Sequence, residues 1–123
     1  MKRILWAGFV LAIVGCAGRS TAEWIELTKS KDSAERLHAV KALAERTSEA
    51  STVVPALTDM LKDPDAFVRR DAAAALGRFG AQAKSAIPAL LAAQSDKNPH
   101  VRDEAIKAIH EIDPGIVIKP AKK

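Results

Sequence analysis

Pro55-Ala56-Leu57-Thr58-Asp59-Met60-Leu61-Lys62-Asp63-Pro64-Asp65-Ala66-Phe67-Val68-Arg69-Arg70-Asp71-Ala72 is followed, 33 positions on, by Pro88-Ala89-Leu90-Leu91-Ala92-Ala93-Gln94-Ser95-Asp96-Lys97-Asn98-Pro99-His100-Val101-Arg102-Asp103-Glu104-Ala105. Pro55 matches Pro88, Asp63 matches Asp96, and Val68-Arg69 matches Val101-Arg102. Beyond the quoted stretch Ala75 matches Ala108, Leu76 matches Ile109 and Phe79 matches Ile112, all without a gap. A fainter copy precedes them. Trp24, Leu27, Asp32, Arg36, Ala39 and Leu43 stand where Leu57, Met60, Asp65, Arg69, Ala72 and Leu76 stand in the middle copy. A period of this length marks stacked units, each unable to bury its apolar face alone.

Each copy reads as two helices. Val54, Leu57, Met60 and Leu61 fall on one helical stripe. Val68, Ala72, Ala75, Leu76 and Phe79 then follow at the spacing of a buried helix face. The stop signals agree. Asp32, Asp65 and Asn98 share one repeat position and suit N-caps, because a short side-chain oxygen accepts orphan amide protons there. Pro99 fits the first turn, where the missing N–H is not needed. Ser20-Thr21-Ala22-Glu23 reads as a capping box. Gly77 and Gly80 read as closing one second helix, and Asp113-Pro114-Gly115 as stopping the last. Six helices are predicted, near 21–30, 34–47, 52–62, 66–79, 86–95 and 99–112. The fold class is all-α, a short α-solenoid of about three helical hairpins. The repeat domain spans 21–115, with units near 21–51, 52–85 and 86–115. The core is predicted to include Leu57, Leu76, Phe79, Leu90 and Ile109.

These residues resemble HEAT repeats, and within them the short bacterial PBS-lyase-type repeats also found in phycobilin lyases. The family pattern places a Pro in the first helix, an Asp in the turn and Val-Arg at the entry to the second helix. Pro55, Asp63, Val68 and Arg69 match it, as do Pro88, Asp96, Val101 and Arg102. The first copy departs, with Ala22, Ser30 and Glu35 at the Pro, Asp and Val positions. A terminal repeat has one face in water, so a more polar copy suits it. The resemblance implies that Arg69 and Arg102 bond to the turn aspartates Asp63 and Asp96 and so set the stacking angle. The alternative reading of Arg36, Arg69 and Arg102 is an anion-binding column.

The first residues carry an address. Met1-Lys2-Arg3 is basic, and residues 4–15 form an uncharged, largely apolar run. That run is too short to span a bilayer, which needs about 20 apolar residues. It fits the hydrophobic region of a secretory signal peptide. Its end, Ile13-Val14-Gly15-Cys16, resembles a bacterial lipoprotein cleavage motif. The resemblance implies a signal peptide over 1–15, lipidation of Cys16, a short tether over 16–20, and a place in the bacterial cell envelope. With Ala17 following the cysteine, it implies the periplasmic face of the outer membrane where two membranes are present. Ordinary cleavage after Ala17, since small residues flank Cys16, an uncleaved anchor and a buried core helix are the alternatives.

Composition narrows the function classes. One cysteine makes no internal disulfide and no four-cysteine zinc site. Aromatic residues are 4% of the chain, too few for a base-stacking platform. Loss of Lys2 and Arg3 lowers the net charge from +4 to +2. Nucleic acid is therefore not expected as a partner, because that binding needs many phosphate-facing cations. His110-Glu111 resembles one of the several His-Glu pairs that deoxyhypusine hydroxylases place around iron, but it stands alone here. The serines lie at predicted helix ends and turns, where capping accounts for them. No catalytic residue, metal site or cofactor is assigned.

What remains is surface. Second helices of such stacks line one broad face. Outward positions there include Leu37, His38 and Lys41, then Arg70, Asp71, Ala74 and Arg78, then Asp103, Lys107 and Glu111. Leu37, Lys41, Arg70, Ala74, Arg78 and Lys107 are the candidate protein-binding residues. The expected function is a membrane-anchored, non-catalytic interaction or scaffold module with an unidentified, membrane-associated protein partner. A small lyase-like or metal-dependent accessory protein is the alternative. The basic tail, 116–123, opens with Ile116-Val117-Ile118, which either covers the last repeat or meets a partner.

Overall fold

The computed structural model describes residues 18–119; the apolar leader run, Cys16 and residues 120–123 lie outside them. Among the described residues there are six α-helices and no strands. They are α1 (Thr21–Leu27), α2 (Ser33–Ala44), α3 (Ala50–Asp59), α4 (Ala66–Arg78), α5 (Ile87–Ala93) and α6 (Pro99–Ile112). Short 3₁₀ segments, Thr47–Glu49, Met60–Lys62 and Gly80–Ala86, flank the first helices of the second and third units. Successive helices pair as hairpins. The second helices, α2, α4 and α6, pack side by side as the continuous layer. On the other layer α3 meets the Gly80–Ala86 segment.

The caps form where the sequence places them. Ser20 Oγ accepts from Glu23 N at 3.3 Å, and Ser20 N donates to Glu23 Oε2 at 2.8 Å. Asp32 accepts from Ala34 N, Asp65 from Phe67 N and Val68 N, and Asn98 from His100 N and Val101 N. Each cap satisfies amide protons that the first helical turn leaves without an intrahelical acceptor. The first helices are shorter than predicted. The helix expected over 21–30 ends at Leu27, where Thr28 Oγ1 donates back to Ile25 O at 2.6 Å. The stretch before Ile87 is 3₁₀, so Pro88 falls in the first turn of α5, while Pro55 lies inside α3 on its exposed side.

All five predicted core residues are buried, four of them without measurable exposure. The layer between second helices is built from small residues: Ala72, Ala73 and Ala75 on α4, and Ala105 and Ala108 on α6. Gly77 does not close α4. It lies within the helix, buried, where an added Cβ would stand 2.8 Å from Glu111 Oε2 and 3.3 Å from Ala108 Cα. Its reason is close approach of α6. Gly80 makes the exit, with φ +55. Residues 116–119 follow the repeat rather than leaving it. Ile116 occupies the repeat position of buried Ala83, and both Ile116 and Ile118 pack on the core. Val117 between them is 88% exposed.

Leu76→Ala is expected to cost about 2–5 kcal/mol, because the surrounding helices cannot fully close the cavity. Gly77→Val is expected to destabilise as well, by forcing α4 and α6 apart, while Lys41→Ala costs little. Urea unfolding of the three variants checks this; equal midpoints would contradict the stack.

Candidate functional site

Three arginines at one repeat position organise the turns between hairpin helices. Arg36 donates from Nη1 to Ser30 O at 2.9 Å, Arg69 to Asp63 O at 2.8 Å, and Arg102 to Asp96 O at 2.7 Å. Each thus ties down the turn of its own hairpin. The other edge of the guanidinium reaches into the next repeat. Arg36 Nε and Nη2 donate to Asp63 at 2.7 and 3.1 Å. Arg69 Nε and Nη2 donate to Asp96 at 2.8 and 3.1 Å. The implied side-chain pairing within a repeat, Arg69 to Asp63 and Arg102 to Asp96, is therefore corrected. The arginine at the entry of a second helix faces the aspartate of the following turn, because stacking brings that turn alongside. Within its own repeat it meets only backbone carbonyls.

The aspartates are equally occupied. Asp63 Oδ1 also accepts from Asp65 N, and Asp96 Oδ1 from Asn98 N, each at 2.9 Å. Ser30, in the aspartate position of the first repeat, keeps the local bond from Asp32 N at 3.1 Å without offering a carboxylate. Burial opposes ionisation of Asp96, but the hydrogen bonds from Arg69 and Asn98 N outweigh it and hold its carboxyl below the usual range. The hydrogen bond to Asp63 raises the Arg36 guanidinium further above its ordinary value. The column is a structural clasp, with all three guanidinium nitrogens of Arg36 and of Arg69 bonded to the protein's own oxygens.

The exposed face of the second helices holds the candidate binding residues. A shallow groove of about 370 Å³ runs between α2 and α4, lined by Ala44, Ala74 and Ala75 with Lys41, Glu45, Asp71 and Arg78 around them. Lys41, Ala74 and Arg78 therefore come together. Three other candidates do not join them. Leu37, expected to point outward, is half-buried against the core. Arg70 pairs with Asp71 at 2.9 Å and stands 5.3 Å from the ring of Phe67. Lys107 is exposed on α6, away from the groove lining. Arg78 makes two bonds to Glu45, at 2.9 and 3.2 Å, across one repeat. That pair is exposed at both ends, and such pairs contribute little and open readily. Sequence reasoning missed Glu45 and Phe67; Glu45 sits 33 positions before Arg78, a spacing the repeat itself supplies.

Elsewhere, Trp24 is flanked by Arg19, whose guanidinium carbon is 5.1 Å from the ring centroid, and by His38 at 5.1 Å between rings. Arg46 Nη2 donates to Arg19 O at 2.8 Å, so the chain is fastened to the body from Arg19 onward. Among the described residues no three His, Cys, Asp or Glu side chains converge as metal ligands. None of the described helices is long and apolar enough to cross a membrane.

Residues 21–110 match the family model for HEAT repeats. A chain in the complex of CpcE and CpcF of phycocyanin lyase from Nostoc sp. PCC7120 is similar, with 26% identity and a TM-score of 0.69 over 76% of this chain. An engineered protein has the same fold, at 24% identity and a TM-score of 0.63 over 75% of this chain. The chain spans 37% and 44% of the length of those two solved chains. No curated protein is significantly similar.

The clasp makes stability depend on acid. Asp96 contributes fully at neutral pH, and the contribution is lost as pH falls below the ordinary aspartate value of about 3.9 toward its lowered folded value. Unfolding free energy is expected to drop between pH 5 and acid, and less steeply in Asp96→Asn. At pH 7, Asp96→Ala is expected to cost about 3–5 kcal/mol, since it strands a buried guanidinium. Denaturant titrations across pH test both expectations. The turn-by-turn clasp, the small-residue layer and the match over 21–110 have one meaning: this chain belongs to the HEAT-repeat family.

Proposed function

We propose that this chain is a lipid-anchored, non-catalytic protein-binding module that works at the surface of a bacterial envelope membrane. The observation that carries the binding part is the alanine-floored groove between α2 and α4, rimmed by Lys41 and by the loosely paired Arg78 and Glu45. Such a groove suits an apolar side chain of the partner, with the rim charges selecting its neighbours. The anchoring part is supported by the apolar leader run and the Ile13-Val14-Gly15-Cys16 motif. A diacylglyceryl group on Cys16 supplies the two chains that stable anchoring requires.

The tether supports a membrane-proximal partner. Arg19 is held by Arg46 and lies over Trp24, so a lipid on Cys16 would be separated from the first held residue by Ala17 and Gly18 alone. Three extended residues reach about 10 Å. A domain on so short a link stays against the headgroups, and its partner is a membrane or membrane-adjacent protein. With Ala17 after the cysteine, the expected location is the periplasmic face of an outer membrane. The lyase-like alternative has one observation in its favour, the likeness to a chain of the phycocyanin lyase complex. That neighbour also works in a two-protein complex, which suits a binding role equally.

Expression of the full chain in a bacterial host is expected to yield a mature protein starting at a diacylglyceryl-modified Cys16, read by intact mass. An unmodified chain starting at Gly18 would overturn the anchor. Lys41→Glu with Arg78→Glu is expected to abolish a cross-linked membrane partner without changing helicity; an unchanged cross-link would remove the groove from the proposal. A visible chromophore retained through purification would favour the lyase-like reading.

A further inference from the structure

Arg36, Arg69 and Arg102 are chemically equivalent positions in three repeats, yet the third is only half satisfied. Arg102 Nη1 binds Asp96 O as its counterparts bind their own turns. Among the described residues nothing accepts from its Nε and Nη2, the edge that in Arg36 and Arg69 holds an aspartate of the next turn. Asp96, close by, is already taken by Arg69. The same end of the stack leaves other groups without their cover. Val40 and Ala73 are fully buried at the repeat position of Ile106, which is half-exposed. Leu61 is buried at the position of Gln94, whose Nε2 is enclosed but has no hydrogen-bond partner. Ala44 and Gly77 are buried at the position of His110, which is exposed. Ile106 lies one helical turn beyond Arg102 and His110 one turn beyond that, so the three line one stripe of α6. Gln94, Ile106, His110 and residues 116–119 enclose an apolar groove of about 500 Å³ beside that stripe.

We propose that this end of the repeat stack is a peptide-binding site, in which Arg102 takes the carboxylate of an acidic partner segment and the neighbouring groove takes an adjacent apolar side chain. The guanidinium edge has the donor spacing for a carboxylate, as its two counterparts demonstrate by binding aspartate through both nitrogens. Gln94 lines the same groove. The occupant is not another stacked helical hairpin. At the two interfaces present this repeat position holds only the small, buried Ala44 and Gly77, and His110 puts an imidazole at the equivalent point of the next one, where a helix would have to come as close. Nor does a second copy of this chain suit the site. Its own position for the clasp aspartate is Ser30, which has no carboxylate and whose oxygen is engaged by Asp32 N and Glu35. An extended or turn-forming acidic segment from a different protein satisfies both the Arg102 edge and the groove. The site shares with the proposed function only the premise of protein binding, and lies on a different surface from the α2–α4 groove.

The probe is a blocked, fluorescein-labelled peptide copying residues 60–66, the turn that presents Asp63 to Arg36 with Met60 and Leu61 beside it. It is titrated against the full chain by fluorescence anisotropy. Saturable binding is expected, weakened about ten- to hundredfold when the peptide carries Asp63→Asn or the protein carries Arg102→Gln. Ile106→Glu is expected to abolish it. Lys41→Glu with Arg78→Glu, the variant that tests the other groove, is expected to leave it unchanged. Should Arg102→Gln impair folding, the Asp63→Asn peptide on the unaltered chain still decides the matter. Equal binding of the two peptides, no binding of either, or a chain that dimerises alone through this end and disperses in Arg102→Gln would each overturn the proposal.

Discussion

The guanidinium groups of Arg36 and Arg69 each divide their donors between two repeats. One nitrogen holds the carbonyl of its own turn, and the opposite edge holds the aspartate of the turn that follows. Because that fork is planar and rigid, it specifies the offset and separation of neighbouring hairpins as well as joining them. The rest of the layer has to comply with that separation. Alanines on α4 and α6, and Gly77 opposite Ala108 and Glu111, let the backbones come as close as the clasp demands. Buried ion pairs of this kind add little net stability, and apolar burial supplies the bulk of it. What the clasp supplies is register.

A clasp that points from each repeat to the next gives the stack a direction. The first repeat has the clasp arginine but no aspartate at the clasp position, since Ser30 serves only its own turn. The last has an aspartate engaged by Arg69 and an arginine with one free edge among the described residues. The two ends are therefore chemically different. The first is closed by the Ser20 capping box and by Trp24 between Arg19 and His38. The last carries an apolar groove, an unpaired amide and a cation.

The groove face shows how a repeat edits its own surface. Residues 33 apart lie side by side on adjacent helices, so Glu45 meets Arg78 and neutralises it. Arg70 is likewise drawn to Asp71 and to the exposed ring of Phe67. The charges that read as a mixed, free face are partly internal pairs. What distinguishes the groove is its alanine floor, where two helices stand close enough for a partner's side chain to touch both.

Period, helix number, caps and core were legible in the chain itself, because each rests on interactions within a few residues or on a strict repetition. Asp65 reaches Phe67 N, and Ser20 reaches Glu23 N, whatever the rest of the chain does. The stripe from Val68 to Phe79 has one apolar side, and that side has to be buried. Other features were decided only by packing. Arg69 could in principle meet the aspartate six residues before it or the one 27 residues after it, and only the stacked geometry selects the second. Leu37 reads as outward by periodicity but lies against the core because α2 has neighbours on two sides. Gly77 reads as a helix end until α6 arrives beside it. Local sequence determines which groups each turn presents; the distance between turns, and so which groups meet, exists only once the hairpins have stacked.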